Sequence, residues 1–211
     1  MMKSVIPAAA LIIIAFAISI YVYPSLPEKI PSHWNADGEV DGYMSKDLGI
    51  FLMPVFSVFI LLLFILLPRI DPLKKNYKTF DKYYEGLMFV IIAFFFYFHI
   101  LTTLWAINVT FNMTQMIVPA FGILFYYIGS ILGKLKQNWF VGIKTPWTLS
   151  SKVVWEKTHK RGGVLFRVSG IIALFGIILM DIAIWLLLVP ILLSSAYTIV
   201  YSYVEYKKLK K

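Results

Sequence analysis

Long apolar stretches alternate along this chain with short polar ones. Six of them, at about residues 5–23, 49–67, 86–108, 115–133, 164–181 and 183–203, reach the roughly 20 residues a helix needs to cross a hydrocarbon core about 30 Å thick. The last two share one apolar run broken only by Asp181. At about 1.5 Å per residue a single helix of that length would be twice the bilayer thickness, so the run predicts two passes joined by a tight turn. The pattern predicts an all-α integral membrane protein, a six-transmembrane-helix bundle. Residues 1–111 and 112–211 form its two three-span halves within one integrated membrane domain.

Composition and charge sharpen this. The 211 residues are 60% hydrophobic, and the mean hydropathy is +0.78, beyond an ordinary soluble domain. Eighteen of the twenty Lys and Arg fall at the N-terminus, in loops 68–85 and 134–163 with Arg167 close by, or in the tail, whereas loop 24–48 holds only Lys29 and Lys46. The positive-inside rule then predicts cytoplasmic termini and an external 24–48 loop. The net charge of +9 suits anionic lipid beside the spans and calls for no nucleic acid. The first run is too long for a secretory signal, and SIYVYPS lacks a small-residue cleavage pattern. Without cysteine there is no disulfide, thiolate metal site or iron-sulfur cluster.

Two polar blocks carry most of the candidate chemistry. The outer one, PSLPEKIPSHWNADGEVDGYMSKDL, has five carboxylates, three prolines that favour extended backbone and a turn-rich centre, which predicts an ordered loop. Asp37, Glu39, Asp41 and Gly42 imitate the opening of a calcium loop, but Leu48 stands where the bidentate Glu belongs. His33 is of a metal-ligating type but lacks the second histidine that a site needs, and Trp34 reads as an anchor to the outer leaflet. The inner block, NWFVGIKTPWTLSSKVVWEKTHKRGG, cannot be helical before Thr145, because Pro146 pushes that residue to extended backbone. Ser150 or Ser151 then caps a short interfacial amphipathic helix that Gly162 and Gly163 end. Val154, Trp155 and Thr158 form its apolar stripe, with Lys152, Glu156, His159 and Lys160 opposite. Glu156 and His159 match the E-x-x-H of diiron bundles, yet stand alone among lysines that oppose a cation. Lys144, Lys152 and three tryptophans make a candidate anion- or peptide-binding surface, the tryptophans serving also as membrane anchors.

Inside the membrane, His99 is either a neutral hydrogen-bonding group or part of a proton relay. Asp181 is read as a surface cap in the last turn, Pro190 as a kink in the sixth span, and Gly129 and Gly133 as sites of close helix approach. Asn108 and Asn112 each open an N-x-T acceptor pattern on the expected outer loop between the third and fourth spans.

The inner block resembles the signature of the SdpI family of prokaryotic membrane proteins, and LPEKIPSHWNADGEVDGYMSK is similar to that family's N-terminal signature. The pattern falls outside on Pro27, Ile30, Pro31, His33, Trp34, Asn35, Gly38, Asp41 and Lys46. Inside it falls on Asn138, Trp139, Gly142, Thr145, Pro146, Trp147, Thr148, Trp155, Thr158 and His159, with Lys144 where Arg is expected. Lys retains that charge but not the bidentate geometry. The resemblance implies a plasma-membrane immunity or signalling protein with no catalytic residue, cofactor or metal. Its implied partners are the lipid bilayer, a secreted peptide toxin at the outer signature and a soluble transcriptional repressor at the inner one. Two other readings compete with it. One is a membrane enzyme or solute carrier that uses His99, Asp181, His33 or the Glu156/His159 pair. The other is an envelope-sensing regulator without a toxin. The oligomeric state is open on sequence alone.

Overall fold

The computed structural model describes residues 3–210. Its elements are α1 (Val5–Val22), β1 (Lys29–Trp34), β2 (Val40–Ser45), α2 (Lys46–Ile70), α3 (Asp81–Ala106), α4 (Met113–Leu132), α5 (Pro146–Ser150), α6 (Lys152–Leu174) and α7 (Ala183–Lys208). Among the described residues, five helical segments are long and apolar enough to cross a membrane: Val5–Ser25, Lys46–Ile70, Asp81–Ala106, Met113–Leu132 and Met180–Lys208.

The remaining long helix departs from expectation. The predicted interfacial helix and the first part of the predicted fifth span are one continuous helix, α6, followed by 3-10 turns at Phe175–Ile177 and Met180–Ile182. Its first half carries Lys152, Glu156, Lys157, Lys160 and Arg161, and this charge separates it from the apolar spans. Gly162 and Gly163 lie mid-helix instead of ending it.

Helix packing explains Gly163, while Gly162 makes room for the Ile143 side chain. A Cβ on Gly129 of α4 would sit 2.6 Å from the Arg167 nitrogen, and one on Gly163 of α6 would sit 2.8 Å from the Gly129 oxygen. Two turns along, a Cβ on Gly170 would sit 2.6 Å from the Tyr126 nitrogen, and one on Gly122 would sit 2.8 Å from the Gly170 oxygen. The pairs run antiparallel along α4 and α6, so backbone meets backbone where any side chain would separate the helices. Gly129 plays its expected role. Gly133 does not, since its nearest neighbour would be the Lys160 Cα, at 3.9 Å.

Proline accounts for two further contacts. Pro54 and Pro68 lie within α2 and have no N–H, so the carbonyls of Ile50 and Phe64 lose their helical donors. The Ser19 hydroxyl donates to Ile50 at 3.0 Å and the Tyr84 hydroxyl to Phe64 at 2.9 Å. In lipid such carbonyls need a partner from a neighbouring helix, and these two bonds tie α1 and α3 to α2. Pro190 likewise lies within α7. The main core joins Ala8 and Ile12 of α1, Phe64 of α2 and Met88 and Ile92 of α3, and continues into the polar block through Leu135 and Trp155.

The outer loop corrects the all-α expectation, because its proline-extended arms pair as an antiparallel hairpin. Pro31 sits opposite Tyr43, and Ile30 is buried against Leu26, Ile50 and Ala106. The hairpin therefore rests on the ends of α2 and α3.

Candidate functional site

The signature residues gather at opposite ends of the bundle. At the first end the hairpin turn is organised by Asn35, whose Oδ1 accepts from the Asp37 and Glu39 amides at 3.0 Å each. Gly38 has a φ of +81°, which favours glycine. Asn112 caps α4 through its Oδ1, which accepts from the Gln115 amide at 2.8 Å, while its Nδ2 donates to the Asp37 carbonyl at 2.7 Å. Thr114 adds a longer bond to Asn35 O at 3.4 Å. The turn is thereby seated on the N-terminus of α4.

The other outer residues divide into supports and exposed groups. Lys46 reaches the Glu28 carboxylate at 3.1 Å and the Leu26 carbonyl at 3.4 Å, closing the base of the hairpin. His33 Nδ1 lies 2.5 Å from Asp41 Oδ1 across the strands, both side chains exposed. Pro27 is exposed and Ile30 buried. Trp34, expected as a leaflet anchor, packs edge-on to Trp105 at 6.1 Å, and both indole N–H groups are buried without a partner among the described residues. Asp41 leaves the calcium-loop pattern for β2, and no three His, Asp or Glu side chains are grouped as a metal site requires among the described residues.

At the second end, most of the inner signature is buried and self-paired. Asn138 is fully buried; its Oδ1 accepts from the Phe140 and Val141 amides at 2.9 and 2.7 Å, and its Nδ2 donates to the carbonyls of Lys136 and Val141 at 2.9 Å. Thr145 and Thr148 form a capping box that starts α5 with Pro146 in its first turn, and Thr145 also meets Ser202 of α7 at 3.0 Å. Trp155 donates through Nε1 to Leu135 O at 2.8 Å and stacks on His159 with centroids 3.9 Å apart. Both residues are 1% exposed. Thr158 is fully buried with no partner for its hydroxyl among the described residues.

His159 is the pivot of this end. Nδ1–H donates to the Trp155 carbonyl at 2.8 Å, and Nε2 accepts from the Ile143 amide at 2.9 Å, which selects one neutral tautomer. Burial pushes its imidazole from 6.5 down to about 4, against the opposing pull of the Trp155 carbonyl. With both nitrogens engaged, His159 has no lone pair left for a metal or a substrate proton. Glu156 points away to Lys136 at 3.1 Å, so the E-x-x-H residues do not form a pair. Gly142 has a φ of +118°, and a Cβ there would collide with the His159 ring. The predicted polar face containing His159 is therefore wrong: the ring shares the buried side with Trp155, because the block folds back over α6 and covers it.

Sequence reasoning missed a second pivot, Asp71, which is 2% exposed. Its Oδ1 accepts from the Leu73 amide at 2.6 Å, and its Oδ2 accepts from the Trp139 amide at 2.9 Å and the Tyr77 hydroxyl at 3.1 Å. Burial, and then the Asp71 carboxylate, push the Tyr77 phenol above its usual range, so it remains a donor. Asp71 ties the chain after α2 to the inner signature. The only local signal was the Asp-Pro turn at 71–72. Of the inner signature, Trp139, at 51%, Lys144 and Pro146 are exposed and Trp147 is half-buried, while Lys136, Lys152, Val153, Glu156, Lys157 and Lys160 are exposed around them. Trp155 is thus a core residue, not a membrane anchor.

Between the two ends, His99 is 1% exposed. Its Nε2 lies 3.2 Å from the Ala15 carbonyl and 3.3 Å from the Ser19 hydroxyl that serves the Ile50 carbonyl. It joins α1, α2 and α3 in one hydrogen-bonded cluster. Asp181 is exposed in the turn before α7.

Residues 134–202 match the model of the SdpI/YfhL protein family, and residues 10–58 match a domain of unknown function, DUF1648. The chain is 28% identical to the immunity protein SdpI of Bacillus subtilis (strain 168) over 213 aligned positions, covering 99% of this chain and 98% of that protein. No solved structure matches the chain. The resemblance read from the two signature loops is borne out, and with the apolar helices it makes this a multi-pass protein of a prokaryotic plasma membrane.

Proposed function

We propose, from the premise that the chain belongs to the SdpI family, that it protects its host against a secreted antibacterial peptide and does so by binding, without catalysis. The observation that carries this reading is the end-to-end similarity to an immunity protein, which spans both signature loops. The chemistry agrees with a binding role: the two most buried histidines are held by hydrogen bonds within the fold. Cells of a peptide-sensitive strain that express the protein should survive at least about tenfold more toxin than cells with an empty vector, a shift equal to about 1.4 kcal/mol in an equilibrium. Equal sensitivity would remove the immunity reading.

The finer parts of the proposal concern topology and signalling. The bundle crosses the membrane six times with both termini in the cytoplasm. Eighteen of twenty basic residues on one side support this, as does the path of α6, which lies against α4 from Gly133 beside Lys160 to Val118 beside Gly176. The exposed aromatic and basic patch around Trp139 and Lys144 is the surface we assign to a soluble regulator, such as a repressor held at the membrane. A crosslinker at Trp139 that captures only lipid in native membranes would overturn that assignment.

A further inference from the structure

α3 and α4 bound a groove of about 440 Å³, within the range of roughly 300–1,000 Å³ typical of ligand pockets. Its walls are apolar, with Ala93 and Tyr97 on α3 and Met116, Pro119, Ala120 and Ile123 on α4. The small side chains of Ala93 and Ala120 make the room. The Tyr97 hydroxyl spans one end, donating to the Met116 carbonyl at 3.1 Å, and Ile123 is 61% exposed toward the surrounding lipid.

What lies above the groove distinguishes it from an ordinary lipid-facing crevice. Asn112, Met116, Pro119, Ala120 and Ile123 recur at helical spacing on one face of α4. The hairpin turn docks on Asn112 through the Asp37 carbonyl, so the turn stands at the head of that face. Of the five carboxylates in the loop, Glu28 is paired with Lys46, Asp41 with His33 and Asp47 with the Tyr23 hydroxyl. Asp37 and Glu39 have no side-chain partner among the described residues, and both are exposed on this turn. The turn that carries these two exposed carboxylates is thus seated at Asn112, one helical turn from Met116 at the end of the apolar groove. A phospholipid acyl chain would suit the walls, but its phosphate would meet like charge at the turn.

We propose that this groove holds the apolar segment of a cationic peptide that enters from the membrane, with the peptide's basic end on Asp37 and Glu39. The proposal rests on the immunity reading and gives the toxin a place. The peptide reaches the groove from the bilayer on the hairpin side, where the low charge density of the walls selects an apolar stretch and the turn selects its polarity. Occupancy sequesters the segment that would otherwise disturb the lipid.

The test uses the full chain in phosphatidylcholine nanodiscs, with a photo-crosslinking residue in place of Ile123. The probes are two synthetic peptides of about 20 Leu and Ala residues, one ending in two lysines and the other in two glutamates. The lysine peptide should form about fivefold more adduct than the glutamate peptide, as two partly exposed ion pairs allow. Asp37→Asn with Glu39→Gln should bring the ratio to one. Ala120→Trp, and independently Ala93→Trp on the facing helix, should fill the groove and abolish the adduct while melting temperature and monodispersity are retained. Equal labelling by both peptides, adduct that survives groove filling, or adduct to lipid alone would each overturn the proposal. Because the two-peptide comparison uses the unfilled groove, it decides the matter even if a tryptophan variant fails to fold. Cell protection is scored separately. Groove labelling without protection removes the immunity reading and leaves the groove, whereas protection that survives both tryptophan variants removes the groove's role and leaves immunity.

Discussion

At position 159 burial keeps uncharged an imidazole that ordinarily titrates near neutrality, with the Ile143 amide donating to Nε2 and the Trp155 carbonyl, which accepts from Nδ1–H, pulling the other way. Because burial lowers its folded pKa to about 4, the unfolded chain binds a proton between about pH 6.5 and 4 that the folded chain refuses. The stabilisation is therefore complete above about pH 6.5 and falls as pH drops toward 4, by up to about 3 kcal/mol. Melting temperatures in detergent at pH 7 and pH 5 should show this loss, and His159→Gln should flatten the difference between them; an unchanged slope would show that other groups carry it. The residue types and their spacing made position 159 a candidate. The role they implied was ligand or surface partner, because nothing local shows that the Ile143 amide returns to meet Nε2. Asp71 was less legible still, since its partners Tyr77 and Trp139 arrive from two different segments.

At the level of elements, the α4–α6 contact decides what the glycines mean. Gly162 and Gly163 read as a helix end because glycine costs about 1 kcal/mol within a helix. That cost is offset where the missing side chain lets two backbones touch, and α6 continues through both residues to Leu174. Gly170→Ile should force α4 and α6 apart, with loss of folded protein by size-exclusion and a drop in melting temperature equivalent to about 2–3 kcal/mol. Gly133→Ile, open to within 3.9 Å of its nearest neighbour, should stay within about 1 kcal/mol of the parent. Similar losses for the two variants would contradict the close-contact assignment. The hairpin follows the same logic: prolines and turn residues announced extended arms, but pairing at long range, with Ile30 in the Ala106 cluster, was needed to make them strands.

For the molecule as a whole, the crossing number turns on α6. Among the described residues five segments meet the length and apolarity of a span, and α6 is the element whose first half is charged and whose second half lies along α4. If it crosses, a reporter active only in the cytoplasm should work when fused to the C-terminus and fail when inserted at Glu39. The reverse pattern, activity at both sites, or activity at neither, as five crossings would give, would overturn the six-span arrangement. The amino-acid sequence by itself determined the membrane location, the apolar runs of the five long spans, the bias of basic residues between loops and the resemblance of the two polar blocks to family signatures, whereas the fifth of its six expected spans became the second half of α6 and the turns after it. Length, hydropathy, charge bias and motif wording are all carried by residues in order, and each acts within one segment or at one boundary. Only the tertiary structure decided that the inner signature is mostly a buried, self-paired plug, that Trp155 and His159 share a core, that Asp71 joins two loops and that the hairpin turn carrying Asp37 and Glu39 is seated on Asn112 at the start of α4. These depend on which hydrogen-bond donors and helix faces meet across tens of residues, and local spacing contains no term for that.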